Sequence, residues 1–389
     1  MTDAPAPSAP ASAGASAWVI VDAAAIRDNV AELVRRAAPA GVMAVVKGDA
    51  YGHGLVTAAR AALAGGATWL GVAQLEEALA LRAAGVQAPL LTWIYPPQAD
   101  LGAALDAGVE LTVGSAWNLE AVLAAARERG FTARVQVKVD TGLGRGGVLT
   151  DWTEVTAALA RAVAEGAVEV TGTWSHFAWA DAPQHPTVRA QQERFVEAVA
   201  ELERAGVDPG LRHLANSAAT LTNPSAHFDL VRPGLAVYGL SPVPDLGRPA
   251  DFGLREAMRV TARLTQVKRA RAGQGVSYGH EYTTDRDTVL GLVPMGYADG
   301  IPRHAGNRGP VQVGGRRYTI AGRVCMDQFV LDLGPDFGGA PGDEVTVLGR
   351  GADGEPTAQD WAEAAGTINY EVVTRMAPRL PRVVVGGEA

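Results

Sequence analysis

Several absences narrow the reading of this chain. It has one cysteine, Cys325, which rules out an intramolecular disulfide and fits a reducing cytoplasm. Basic residues form no cluster, aromatics make up only 6% and net charge is −8, all of which argues against nucleic acid as a partner. No apolar run reaches the roughly 18 residues of a membrane span. The seven histidines lie apart, without HxH, HExxH or CxxC spacing, so no metal centre is expected. There is no GxGxxG after the first strand and no GxxxxGK[ST] anywhere, which weakens any nucleotide-binding reading. Residues 1–17 are mostly Ala, Pro, Ser and Gly, with neither the basic start nor the apolar stretch of a signal peptide. They read as a disordered tail.

What is present is a regular alternation. The chain has 389 residues, 48% of them apolar, enough for about two domains. A strand-like Trp18–Val21 leads to Asp22, a plausible N-cap, and then Ile26, Val30, Leu33, Val34 and Ala37 recur at helical spacing. Eight short apolar runs follow: Val42–Lys47, Trp69–Ala73, Pro89–Ile94, Val109–Val113, Val135–Val139, Val168–Trp174, Leu211–Ala215 and Phe228–Arg232. Helix-length segments such as Glu76–Ala84, Ala116–Arg129, Trp152–Glu165 and Ala190–Ala205 separate them. Eight β-α alternations predict a parallel, TIM-like (β/α)₈ barrel over 18–245. A doubly wound open sheet is the alternative. Ser241 to Phe252 reads as a linker. Beyond it, 246–389 reads as a mainly β domain, with strands at Met258–Lys268, Thr288–Pro294, Val311–Ile320, Phe329–Leu333 and Glu344–Leu348. A Gly314-Gly315 hairpin lies within it, and one helix runs from Thr357 to Ala365 before an apolar tail.

The C-terminal strand ends of such a barrel face the active site. Read in order they present Lys47, Lys138 with the turn to Arg145, His176, Asn216-Ser217 and Arg232. Lys47 ends a buried run and is followed by Gly48-Asp49-Ala50-Tyr51-Gly52-His53-Gly54. A lysine emerging there is partly desolvated, so its amine can become a nucleophile suited to Schiff-base chemistry. The plainer reading is a lysine that closes a strand and reaches water. Lys138–Arg145 holds two cations around a glycine-rich turn, able to clamp a carboxylate, or simply to lie solvated. Asn216-Ser217 and Arg232-Pro233-Gly234 follow strands seven and eight, where such barrels often hold phosphate. His176 could equally be a satisfied core histidine. In the second domain, the segments around Tyr278, Tyr297 and Tyr370, together with Val324–Asp327, stand out, although tyrosines beside glycines are usually structural.

These motifs resemble one family. Val46–Gly54, Lys138–Arg145, Val276–Gly279 and Arg323–Asp327, in this order, are similar to those of the bacterial alanine racemases, enzymes that use pyridoxal 5′-phosphate (PLP), and the likeness runs from about Trp18 to Val384. The resemblance implies interconversion of L- and D-alanine, supplying D-alanine for peptidoglycan, by a cytoplasmic homodimer with composite active sites. It makes Lys47 the lysine to which PLP is attached and one of two catalytic bases. Tyr278, from the partner subunit, becomes the other base. Tyr51, Ser217, Gly234, Leu235 and Tyr370 fall around the cofactor phosphate, and Asn216 is expected among the cofactor-binding residues. Arg232 faces the pyridine nitrogen, with His176 as its neighbour. Arg145, Met326, Tyr297 and Asp327 fall at the substrate, and Lys138 matches a lysine often carbamylated in the family. Gly48, Leu143 and Pro233 depart from the commoner residues without removing a chemical group. A decarboxylase of the same fold would share Cys325 and Asp327 but not an arginine at the ring nitrogen. A lone-barrel PLP-binding protein would lack the β domain. A serine racemase would share every motif.

Overall fold

The computed structural model describes residues 14–387, and they divide into two compact units. The first comprises residues 26–50 and 55–254, the second residues 14–25, 51–54 and 255–387.

The first unit is the barrel. Its strands are Gly41–Val45, Trp69–Gln74, Leu90–Ile94, Glu110–Val113, Ala133–Lys138, Val168–Trp174, Leu211–His213 and Leu230–Val231. Seven parallel pairings join them in chain order and bring the last back beside the first. Closure between the last two strands rests on Asp229 N–H to Arg212 O (3.0 Å) and Arg232 N–H to Ala215 O (2.8 Å). All eight expected runs are therefore strands, and the near-closed barrel agrees with the fold expected from the alternation. Met43, Trp69, Leu91, Trp174 and Leu230, from five different strands, pack together inside it. Burial of such side chains, each stabilising by about 1.5–3 kcal/mol, is what holds a parallel barrel together.

The second unit is built of strands and short helices. Its six-stranded sheet runs Arg316–Thr319, Pro310–Val313, Glu344–Leu348, Met258–Arg263, Ala17–Asp22, Arg382–Val385. Ala17–Asp22 pairs antiparallel with Met258–Arg263 and parallel with Arg382–Val385. The expected barrel domain ran from 18 to 245. The first strand has its hydrogen-bond partners in the second unit, and the boundary falls at Leu254/Arg255. Asp22 does cap the following helix, accepting from Ala25 N–H at 2.9 Å. Most of the expected tail, residues 1–13, lies outside the described residues, but Ala17 already belongs to a strand.

The expected strand Met258–Lys268 is two strands, Met258–Arg263 and Gln266–Ala270, which pair in different sheets. The helix Ala358–Ala365 has the predicted ends. Thr357 accepts from Asp360 N–H (3.1 Å), and Gly366 turns left-handed at φ +66°. A further short helix, Asn369–Thr374, follows where only a tail was expected. No helix among the described residues is long and apolar enough to cross a membrane.

Candidate active site

The segment after Gly41–Val45 is not an ordinary turn. Gly48, Asp49, Ala50, Tyr51 and Gly52 all have positive φ, from +51° to +80°, so Lys47 opens a left-handed helical turn. Each non-glycine residue in that region costs about 1–2 kcal/mol, and three are present. The backbone is tied in place by Ala50 N–H to Val46 O (2.8 Å) and by Asp49, which accepts from Leu55 N–H (2.8 Å). Glu77 accepts from Gly48 N–H at 2.6 Å and also from Ala73 and Gln74 N–H. Strain held by such contacts fixes where the strand-end lysine emerges.

Lys47 is half-buried. Burial, with help from Arg145 and Arg232 and against the pull of Glu77, lowers its pKa. Its Nζ lies 6.0 Å from the Trp93 ring centroid. Lys138 ends Ala133–Lys138 and is 9% exposed, with Nζ 4.6 Å from the Trp174 ring. Burial, then Arg145 and Arg232, hold its pKa down at about 8.

Asp140 shapes the turn that carries Arg145. One carboxylate oxygen accepts from Gly142, Leu143 and Gly144 N–H (2.9, 2.9 and 3.2 Å), the other from Arg145 N–H (3.1 Å). Burial pushes its pKa up, but those four donors outweigh it and hold it low. Gly147 closes the turn at φ +126°, where an added Cβ would sit 2.8 Å from Asp140 N; no other residue fits there.

Arg232 is buried against the Trp174 face, 4.8 Å from its centroid. It donates to Ser175 O (2.6 Å) and His213 O (2.7 Å), and its Nη atoms lie 3.1 Å from His213 Nδ1 and 3.4 Å from His176 Nδ1. Burial lowers its pKa to about 9. Both histidines are held well below their usual range by burial first and then by Arg232, which leaves them neutral. Asn216 caps the helix Ser217–Thr222 through Ala219 N–H (3.1 Å), and Ser217 Oγ accepts from Gly234 N–H (2.8 Å) and Ala236 N–H (3.2 Å). Two helix starts, at Ser217 and Leu235, thus converge on one serine, a setting suited to an anion.

The second unit gathers the other candidates. Tyr297 N–H donates to Cys325 O (3.0 Å) and Ala298 N–H to Met326 O (2.9 Å), so the Tyr297 and Met326 loops are joined. Arg379 pairs bidentately with Asp299 (2.6 and 2.9 Å) and reaches Asp327 at 2.8 Å. Asp327 is thus held in an ion pair between loops. Tyr278 is 71% exposed and follows Ser277, at φ +61°. Ser277 Oγ donates to Arg323 O at 2.7 Å, and Arg323 pairs with Glu281. Tyr51 and Tyr370 lie with ring centroids 6.3 Å apart. Burial, then Tyr370, raises the Tyr51 pKa.

Gly296 makes the loop pairing possible: a Cβ there would lie 2.3 Å from the carbonyl oxygens of both Cys325 and Met326. Gly296→Ala is expected to cost about 3 kcal/mol through overpacking, read as a lowered denaturation midpoint with an unchanged m-value.

Sequence reasoning missed His213, Glu77 and Asp140. Arg212-His213 reads as ordinary strand and Glu77 as a helix-start acid. Asp140 lies inside the Lys138–Arg145 segment, where its carboxylate serves the turn's own backbone N–H groups, a role that the spacing does not signal.

A family model for the alanine racemase N-terminal domain matches residues 21–242, and one for the C-terminal domain matches 257–384. The chain is 60% identical to an alanine racemase of Beutenbergia cavernae over 95% of this chain and 98% of the relative. It is 58% identical to one of Frankia casuarinae, over 93% and 94%. A crystal structure of alanine racemase from a D-cycloserine-producing Streptomyces lavendulae superposes with a TM-score of 0.95 at 54% identity, covering 96% of this chain and 98% of that one. The chain belongs to the alanine racemase family, isomerases that interconvert L- and D-alanine.

Proposed function

We propose that this enzyme racemises alanine with PLP, using Lys47 and Tyr278 as its two bases. The observation that carries the reading is the cluster at the barrel's C-terminal end. There, a lysine of lowered basicity, a buried arginine between two neutral histidines and a serine joined to two helix starts occupy successive strand ends. This donor set fits PLP. Lys47 offers an amine, Ser217 and the backbone at Gly234 and Leu235 suit the phosphate, and Arg232 suits the pyridine nitrogen. When bound, PLP supplies the electron sink that makes the α-hydrogen of an attached amino acid acidic.

The remaining work falls to the chain's own groups. Exchanging hands requires a proton to leave one face and return to the other. Lys47 Nζ takes it from the D-isomer and Tyr278 Oη, from the partner of a homodimer, takes it from the L-isomer. Arg145 and the Met326 N–H hold the substrate carboxylate, and Tyr297 with Tyr370 limits the side chain to a small one. Arg232, a cation, disfavours protonation of the ring nitrogen and so limits transamination. The product D-alanine serves peptidoglycan synthesis in the cytoplasm.

The sequence holds three lysines, Lys47, Lys138 and Lys268, so attachment is easily mapped. Borohydride reduction of the PLP-loaded enzyme should label the peptide containing Lys47 alone. Label on Lys138 instead would overturn the assignment.

Lys138 is proposed to be carbamylated. The reaction needs a neutral amine, and a pKa of about 8 leaves a substantial neutral fraction near neutral pH. The resulting anion would lie among the cations Arg145, Arg232 and Lys47. Without carbon dioxide the sign follows from the lowered folded pKa. A protonated Lys138 destabilises the fold below about pH 8, and the penalty disappears as pH rises from there towards the unfolded value near 10.4. Purging carbon dioxide should therefore lower the melting temperature most at pH 6.5–7.5, with bicarbonate restoring it. A carbon-13 carbamate signal from labelled bicarbonate, absent in Lys138→Ala, checks the chemistry directly.

A further inference from the structure

A line of polar groups runs through the apolar interior of the barrel, and the catalytic reading leaves most of it without a role. Glu110, Gln136 and His213 come from three strands and are 2%, 0% and 0% exposed. His213 Nε2 lies 2.9 Å from Gln136 Oε1, and Gln136 Nε2 donates to Glu110 Oε2 at 2.9 Å. Thr171 Oγ1 donates to the same carboxylate oxygen (2.7 Å), and Arg134 pairs with the other oxygen (2.9 Å). Glu110 opens its strand, whereas His213 ends its own. The line therefore connects the opposite end of the barrel with Arg232.

Its direction is fixed by its two ends. An ionised carboxylate only accepts, and a guanidinium only donates. Facing Glu110, Gln136 must present its NH₂, which leaves its carbonyl oxygen for His213. His213 must then carry its hydrogen on Nε2, keeping Nδ1 as an acceptor for Arg232. A proton on Nδ1 would set donor against donor, and an imidazolium would do so beside a buried cation. Glu110 and Gln136 are buried, whereas the Arg134 side chain that pairs with Glu110 is 55% exposed, and a buried carboxylate or amide is costly unless it is partnered.

We infer that Glu110 and Gln136 are positioning residues, which lock His213 as the neutral Nε2–H tautomer and thereby hold the Arg232 guanidinium in one orientation. The inference rests on the reading that Arg232 faces the cofactor ring, and its test separates the two. Nitrogen-15 spectra of the PLP-loaded enzyme should show His213 protonated only at Nε2 from pH 6 to 8. Gln136→Leu removes both amide contacts and should give mixed tautomers, and Glu110→Gln, which frees the direction but keeps the atoms, should give a smaller admixture. In Gln136→Leu, kcat should fall about 10-fold, the scale of a small loss of alignment, with KM for alanine little changed and more transamination per turnover. An unchanged tautomer in both variants overturns the inference. A shifted tautomer with unchanged kcat and partition upholds the lock and overturns the role given to Arg232.

Discussion

Lys47→Ala is expected to lower racemisation in both directions by at least about a thousand-fold, the scale lost with a group that acts as both nucleophile and base. Of the other two lysines, Lys138 has its ammonium 4.6 Å from the Trp174 ring centroid and Lys268 lies in strand Gln266–Ala270. The loss should not come from unfolding. Burial and the cations Arg145 and Arg232 lower the Lys47 pKa, which means the protonated side chain destabilises the folded state at neutral pH. The alanine variant should therefore melt no lower than the parent enzyme without cofactor. A lower melting temperature would show that Lys47 supports the fold, contrary to the direction of its pKa shift.

Tyr278→Phe should be nearly as damaging to racemisation. The phenol stands well out of its own chain, at 71% exposure, on a segment braced by Ser277, Arg323 and Glu281. Such bracing suits a side chain presented to a second copy. Composite sites can be counted. Mixing Lys47→Ala with Tyr278→Phe and letting subunits exchange makes half the dimers mixed, and each mixed dimer has one intact site of two. Recovery should approach about a quarter of parental activity, the statistical limit for a two-fold dimer. If size-exclusion chromatography shows mixed dimers and no activity returns, Tyr278 is not supplied across the interface.

The barrel was legible because each strand is a short apolar run with helix-length spacing, a pattern set by burial on both faces. Strand-end residues followed from that count. What could not be read depends on distant pairing. Trp18–Val21 looks like any leading strand, and only its register against Met258–Arg263 and Arg382–Val385 removes it from the barrel. Leu264-Thr265 carries no turn signal to announce that Met258–Lys268 divides between two sheets. The run of positive φ from Gly48 to Gly52 was visible only as glycine punctuation, because Asp49, Ala50 and Tyr51 have no intrinsic preference for that conformation. His213 was missed for a related reason. A strand's sequence shows which residues share a face, but not which neighbour meets them once the barrel closes.

The central claim is that two different groups serve the two faces of the substrate, and proton exchange in D₂O tests it most directly. The parent enzyme should place deuterium at the α-carbon starting from either isomer. Tyr278→Phe should still wash the α-hydrogen out of D-alanine through Lys47, while leaving L-alanine essentially unexchanged. Equal exchange from both isomers in Tyr278→Phe would contradict the account, since one group would then be serving both faces.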